Sequence, residues 1–477
     1  MNIPCHLMQG LLVGFVRIKI EFKILLSKNS QLRSENYQLR SENSQLCRRS
    51  KLDSSNSSKP PSSDGLSKKP AQKRTSRTRE KGLKPNGGQK GHKGSTLKQV
   101  DNPDRVIRHS LDQCPKCSKN LRSISIESIS KRQVFDIPEP KIFVTEHQSE
   151  VKRCPCCMNK VSAEFPYSIN SPAHYGSGIQ TLSVYLLHYQ LIPEKRVKAL
   201  FEDLFKLRIS TATIVDIGKK FSQIVEPIQV RVLENLKKAP VKHLDETGFR
   251  IGGKTHWLHV VSNILGTHYR NSVKRKNLLE GVKGIIIHDH WKPYFSMKEV
   301  QHALCNAHHL RELKAVLEID KEPWAGNMSR ILRVIRKMSK KAMNFKRIER
   351  IEAIYDQIVS QGLKYHEDQP PLEKKGSRGP PKRRKGHNLV IRLRDFKVEV
   401  LRCFKESEVP FTNNQAEQDI RMMKVKQKIS GGFRTEKGSK TFCNIRGFLS
   451  TCRKQGFNLF ESIKQTLSEI PPEFSFP

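Results

Sequence analysis

Leucine recurs at every seventh position through SKNSQLR, SENYQLR and SENSQLC, which sets Leu25, Leu32, Leu39 and Leu46 on one seam and Asn29, Asn36 and Asn43 on the neighbouring one. This heptad predicts a short coiled coil over 25–50. Asparagine at successive core positions gives up stability for register, so a weak dimer or trimer contact is expected. A solvated helix packing on its own chain is the alternative. From Ser54 to about Ser95 the apolar pattern gives way to Ser, Pro, Gly and Lys/Arg (SSNSSKPPSSDG, KKPAQKRTSRTREKGLKPNGGQKGHKG), a composition unable to bury enough apolar surface to fold alone. RQVFDIPEPKIFVTEHQSEVKR then reads as strand. Residues 171–235 read as helix. Within them, RVKALFEDLFKLRISTATIVDIGKKF is helix, short turn, then Ser210 capping a second helix, with apolar positions at 200, 204 and 207 and at 214, 217 and 221. Such a pair is either a helix-turn-helix contacting DNA or, more commonly, two packed helices.

From Val241 the pattern alternates again: VKHLDETGFRI, HWLHVVSN and THYRN as strands, KRKNLLEGV as a helix, and GIIIHD as a buried strand. Three strands, a helix and a fourth strand is the order of a ribonuclease-H-like α/β core, a mixed sheet with flanking helices. A mostly helical stretch and the basic, Pro-rich EKKGSRGPPKRRKGHN (373–388) follow, read as an insertion or loop touching DNA. In 413–429, Asn413 or Asn414 caps a helix whose apolar stripe is Ala416, Ile420 and Met423. Glu417, Arg421, Lys424 and Lys428 share another face. The predicted division is an unassigned extension (1–24), the coiled coil (25–50), a basic linker (51–100), a cysteine-bearing ribbon (101–165), a helical region (166–236), the α/β domain with its insertion (237–430) and a C-terminal helical region (431–477).

Charge changes the picture most. The 477 residues include 88 Lys+Arg against 46 Asp+Glu, a formal net charge of +42, and a field of that sign concentrates polyanions, above all nucleic acid. The most apolar early stretch, GLLVGFV, is far short of the ~20 residues a membrane span requires, and no cleavable signal pattern follows it. The 11 cysteines are odd in number, and four form two C-x-x-C pairs, which favours a reducing compartment and metal ligation over disulfides. We expect a cytoplasmic, nucleoid-associated protein.

Cys114-Pro-Lys-Cys117 and Cys154-Pro-Cys-Cys157 are two knuckles able to supply four thiolates to a structural Zn²⁺, with Cys156 competing for a place in the second. Cys305 and His308 form a C-x-x-H, read as packing because no second pair lies nearby in sequence. The acids carry the chemistry. Asp245 lies in the first strand, Asp289 closes GIII at the carboxyl end where α/β sheets put their sites, and Glu417 stands among bases. Three carboxylates brought together repel one another unless cations intervene, and hard oxygen ligands suit Mg²⁺ or Mn²⁺. Two such ions would serve an in-line displacement at phosphorus. Arg421, Lys424, Lys428 and Arg434, with Lys90 and Lys93 of the linker, are the expected phosphate contacts.

HLDETGFRI, HDHWKPYF, CNAHHLREL, VPFTNNQAEQDIRMMKVKQKISGGFRT and TFCNIRGFLSTCRKQG resemble the DDE transposases of bacterial insertion sequences, in the family named for insertion sequence sixty-six. The likeness spans roughly 25–470 and includes the Leu/Asn heptads, the linker and the cysteine knuckles. It implies that Asp245, Asp289 and Glu417 are the three catalytic acids. It also implies binding of terminal inverted repeats, water attacking first and the freed 3′-hydroxyl then attacking target DNA, in a homo-oligomer on DNA aided by helper proteins of the element. The bulky HDHW turn departs from the family, which has a Gly-containing turn there before a Tyr; Tyr294 keeps the aromatic. A non-catalytic DNA-binding regulator, a nuclease of the same fold and an inactive copy are the alternatives.

Overall fold

A computed structural model describes residues 96–166, 169, 171–276, 278–338, 345–372 and 383–476, with 25–33, 35, 36, 39 and 52 nearer the N-terminus. Residues 25–33 are helical, and Leu25, Leu32 and Leu39 are exposed. The extension 1–24, the rest of the heptad run including Leu46, nearly all of the linker with Lys90 and Lys93, and 373–382 of the basic loop lie outside the described residues. The chain forms two compact units, residues 66–147 and the remainder. No helix among the described residues is long and apolar enough to cross a membrane.

In the larger unit, a two-stranded ribbon of β1 (Val151–Arg153) and β2 (Lys160–Ser162) is antiparallel and frames the second cysteine knuckle. The main sheet has five strands: β3 (Val241–Ile251), β4 (Lys254–Ser262), β5 (Thr267–Ser272), β6 (Gly284–His288) and β7 (Val300–Leu304), in the order β5-β4-β3-β6-β7. The first three make an antiparallel meander, and β6 and β7 run parallel to β3. Gly252 and Gly253, both at positive φ, form the two-residue turn between β3 and β4, where a primed turn needs residues without a Cβ penalty. The sheet is mixed with helices on both faces.

One face is covered by α1 (Ser177–Val184), α2 (Glu194–Phe205), α3 (Thr211–Lys238), α10 (Glu436–Lys454) and α11 (Leu459–Leu467). Ser210 caps α3 as its sequence predicts, its Oγ accepting the Thr213 N–H at 3.0 Å. The stripe of Ile214, Ile217 and Phe221 continues through Val225, Ile228, Val232 and Leu236, all buried, so α3 is a core helix along its length. The predicted stripe of α2 is shifted: Leu204 is exposed, and Val197 and Phe201 are the buried positions. The opposite face carries α4 (Asn306–Ala315), α5 (Pro323–Met338), α6 (Phe345–Glu367), α7 (Lys385–Asp395) and α8 (Lys397–Lys405) over β6 and β7. There α9 (Asn414–Ser430) lies over β3, β4 and β5, burying Ala416, Ile420 and Met423 as expected.

Three elements differ from the sequence pattern. Of the expected strand RQVFDIPEPKIFVTEHQSEVKR, only Val151–Arg153 is strand, because the exposed run before it finds no partner strand to pair with among the described residues. KRKNLLEGV forms no helix; its described residues run as turns, with Gly281 at φ 71°. So short a segment is marginal as a helix on its own, and tertiary contacts decide its conformation. Leu278 and Leu279 pack into the core, while the Arg275 guanidinium is drawn to Glu246. A fifth strand, β7, appears where QHALC gave no alternation, because only its last residues are buried.

Asp419 fixes α9 to the sheet edge. Its carboxylate pairs with Lys454 of α10 at 2.8 Å, each side chain 11% exposed. Lys454 also donates to the carbonyls of Asn263 and Gly266, and Gln415 and Thr267 donate to Asp419. Removing one member of a buried, hydrogen-bonded pair strands the other charge. Asp419→Ala is therefore expected to destabilise the fold by about 3–5 kcal/mol, read by urea unfolding. A loss below about 1 kcal/mol, the range of exposed pairs, would mean that solvent screens the pair.

Candidate active site

Register brings the two aspartates together. The parallel pairing of β3 with β6 aligns Val241 with Ile285, Lys242 with Ile286 and His243 with Ile287. Continued by two residues, it sets Asp245 beside Asp289, just past the carboxyl end of β6. Side chains alternate along a strand, so Asp245 shares its face with Val241 and His243, the face on which α9 lies. The start of α9 is pinned there by Asn413. At the N-cap position, its side chain does not cap the helix; it donates to the Leu244 carbonyl and bonds His243 Nδ1, each at 2.8 Å. One turn on, Glu417 lies within electrostatic reach of both aspartates.

Electrostatics report the proximity. Burial raises the Asp245 carboxyl well above its ordinary value, reinforced by the charges of Glu246, Asp289 and Glu417. Burial likewise raises Asp289 to about 6, with Glu246 next in effect and Glu417 contributing, against a hydrogen bond from the Trp291 N–H at 3.0 Å. These carboxylates are held in mutual repulsion in a desolvated place, an arrangement that a cation relieves.

Glu417 is also held from its other side. Cys305 follows β7, and its N–H donates to the His288 carbonyl at 3.0 Å, so the ends of β6 and β7 are joined beside Asp289. The Cys305 thiol donates to Glu417 Oε1 at 3.8 Å, while His308 Nδ1 stands 3.8 Å and Arg311 Nη2 3.9 Å from the same oxygen. Cys305, His308 and Glu417 offer ligand atoms all within 4.8 Å of one another.

Sequence reasoning passed over Glu246. It follows Asp245 on β3 and points to the opposite face, its side chain 2% exposed. Arg275 pairs with it at 2.6 Å while stacking between Trp257 and Trp291, and the Tyr294 hydroxyl donates to it. The acid next to Asp245 is thus charge-balanced from behind, and that contact is what the aromatic of the HDHWKPYF turn makes.

The expected phosphate contacts fall along α9 and beyond its end. Arg421 and Lys428 are exposed; Arg421 makes no hydrogen bond or ion pair among the described residues. Lys424 is tied down, donating to the Gly248 carbonyl of β3 at 2.7 Å. Arg434 is exposed just after a parallel bridge between Ile251 and Phe433. Gly432 lets that bridge form, since a Cβ there would lie 2.6 Å from the Arg250 carbonyl oxygen.

The two cysteine knuckles are built alike. In residues 66–147, Ser118 donates to the Cys114 carbonyl at 2.8 Å and sits at φ 56°. In the larger unit, Met158 donates to the Cys154 carbonyl at 2.9 Å and sits at φ 54°. Backbone N–H groups of Lys116 and Cys117 lower the Cys114 thiol's pKa, as those of Cys157 and Cys156 lower that of Cys154, and each thiol bonds the side chain of its partner, Cys117 or Cys157. Donors to sulfur favour the thiolate a metal binds. Cys154 is matched by Cys157, as Cys114 is by Cys117; Cys156 stands at the position of Lys116.

A family model described as transposase IS66 family matches residues 173–441, more than half of the chain. Another, the zinc-finger binding domain of transposase IS66, matches 112–158, and a family of unknown function matches 16–98. A stretch of 79 residues is 30% identical to an uncharacterized protein, y4jO, of Sinorhizobium fredii; it covers 17% of this chain and 25% of the length of that relative.

Proposed function

Because this chain belongs to the IS66 family of transposases, we propose that it binds the terminal inverted repeats of a bacterial insertion sequence and catalyses metal-dependent DNA cleavage and strand transfer. The β3–β6 register carries the proposal, since it sets two half-buried aspartates side by side at the strand ends with Glu417 within electrostatic reach of both. A ribonuclease-H-like core is the matching fold: the antiparallel meander of β3 to β5, continued from β3 by two parallel strands, supports it. The functional division is then a catalytic module over 237–430 with its helical insertion, a zinc ribbon over 101–165, and the heptads of 25–50 as an oligomer contact.

The donor set fits hard divalent ions, being all carboxylate oxygen in a desolvated cluster of like charge. Asp245, Asp289 and Glu417 would hold two ions of the Mg²⁺ or Mn²⁺ class, whose chemistry when bound is to activate the attacking oxygen and stabilise the leaving one. The remaining work belongs to this chain's residues. Asn413 orients Glu417 toward the strand ends, Glu246 with Arg275 and Tyr294 stiffens the strand beneath Asp245, and Arg421, Lys428 and Arg434 receive phosphates. Water is the first nucleophile and the freed 3′-hydroxyl the second, in an oligomer assembled on DNA ends in the bacterial cytoplasm with helper proteins of the element.

The reading is tested by incubating the purified protein with Mg²⁺, a labelled duplex ending in the element's own inverted repeat, and a target plasmid. Nicked ends and joined products are expected. Cleavage without joining would make the protein a nuclease, and binding without either would make it a regulator or an inactive copy.

Cys114, Cys117, Cys154 and Cys157 are the proposed ligands of one structural Zn²⁺, supported by the matched knuckles and the zinc-finger family. Changing any one to Ser is expected to release one equivalent of zinc per chain and unfold the ribbon, because binding and folding are coupled in such sites. Full zinc content in Cys114→Ser, measured by elemental analysis, would reject the assignment. Full content in Cys156→Ser is expected.

A further inference from the structure

We propose that Cys305, His308 and Glu417 form a second soft-metal site, separate from the cysteine knuckles, that takes a zinc-class divalent ion. Cys305 Sγ, a ring nitrogen of His308 and a Glu417 oxygen all lie within 4.8 Å of one another, and the sulfur–oxygen and nitrogen–oxygen contacts are each 3.8 Å. Tetrahedral zinc with ~2.3 Å bonds to sulfur and ~2.0–2.1 Å bonds to nitrogen and oxygen holds neighbouring ligand atoms roughly 3.3–3.7 Å apart. The three donors therefore need only a small contraction, within the reach of rotamer adjustment.

Local structure explains why they meet. Cys305 occupies the N-cap position of α4, and His308 lies in the first turn of that helix, its N–H bonded to the Cys305 carbonyl at 3.1 Å. Both side chains thus rise from one short, rigid stretch. Glu417 comes from α9, and Asn413 fixes that helix start here by donating its N–H to Cys305 Sγ at 3.1 Å. His308 Nδ1 is buried and has no hydrogen-bond partner. The His308 and Glu417 side chains keep 22% and 24% exposure, enough for an ion to enter and for water to take a fourth position.

The donor types choose the ion. Mg²⁺ seeks oxygen and retains its waters, whereas a sulfur, nitrogen and oxygen set suits zinc. Binding takes the thiolate of Cys305, so the thiol proton leaves to solvent as the sulfur–metal bond forms. Arg311, 3.9 Å from Glu417, is the competing cation and must give up that contact. If Glu417 is also the third acid of the proposed reaction, one carboxylate serves two sites, and zinc antagonises the Mg²⁺-dependent chemistry; that consequence rests on the function proposed above, while the site does not.

The test counts zinc in the full-length protein without DNA. After zinc loading and exhaustive dialysis, two equivalents per chain are expected, with one lost in His308→Ala and in Cys305→Ser and the other lost in Cys114→Ser. Cobalt substituted into the Cys114→Ser protein should show a thiolate-to-cobalt absorption band that disappears on adding Cys305→Ser. Should Cys305→Ser fail to fold, His308→Ala decides alone, since its half-open side chain is the safer change. One equivalent in the unmodified protein, or an unchanged count in folded His308→Ala, overturns the site whatever the cleavage assay gives. Cleavage that fails while the count holds overturns only the function.

Discussion

Asp245→Asn and Asp289→Asn are each expected to lower Mg²⁺-dependent cleavage of a transposon-end duplex by more than about a hundredfold, the upper end of the cost of losing an outer partner of a metal ligand. End binding should stay close to that of the unmodified protein, because in the proposed function the acids hold metals while Lys and Arg hold phosphates. Asparagine keeps the shape and removes the charge, so a fold defect does not account for the loss. Burial raises the carboxyl of Asp245 and that of Asp289, so ionising either one is costly in the unmodified, metal-free protein. Neutralising either one should leave the metal-free fold as stable as before or more so. Single-turnover cleavage and a gel-shift titration on the same preparations give both numbers. Cleavage within about tenfold of the unmodified protein would remove that residue from the metal site.

Sequence reading went furthest where a pattern was long and local. The strands β3 to β6, the Ser210 cap and the stripe of Ala416, Ile420 and Met423 each follow from periodicity or from one hydrogen bond made within three residues. It failed where a segment's fate depends on distant partners. Lys274 to Val282 has helical periodicity, yet Arg275 is claimed by Glu246 and two indoles that no local pattern reveals. Asp419, two residues from Glu417, escaped notice because its partner Lys454 lies on another helix. Cys305 and His308 have no second ligand pair nearby in sequence; the third potential donor atom beside them belongs to Glu417, more than a hundred residues on. Asp245 and Asp289 each stand four residues past one of the paired positions Val241 and Ile285, and the parallel register turns that equal offset into adjacency.

Glu417→Gln and Arg421→Ala, one turn apart on α9, should fail in opposite ways. Gln is nearly the shape of Glu but a far poorer ligand for a hard cation, so turnover falls by more than about a hundredfold while the salt dependence of end binding is unchanged. Arg421→Ala retains metal-dependent cleavage at saturating DNA but weakens binding, and the slope of log affinity against log salt shrinks by about one unit for one lost phosphate contact. An i, i+4 pair between the two would be worth only ~0.3–0.5 kcal/mol. The packing speaks against it: Glu417 turns toward His308 and Arg311 of α4, while Arg421 stands exposed without a partner among the described residues. An exposed guanidinium one turn from the acid cluster has no structural debt to settle, so its free energy is available to a phosphate. Binding across a salt series decides the matter. Equal slopes for Arg421→Ala and the unmodified protein would take α9 off the DNA backbone at that residue, and a changed slope for Glu417→Gln would mean that the acid shapes DNA binding itself.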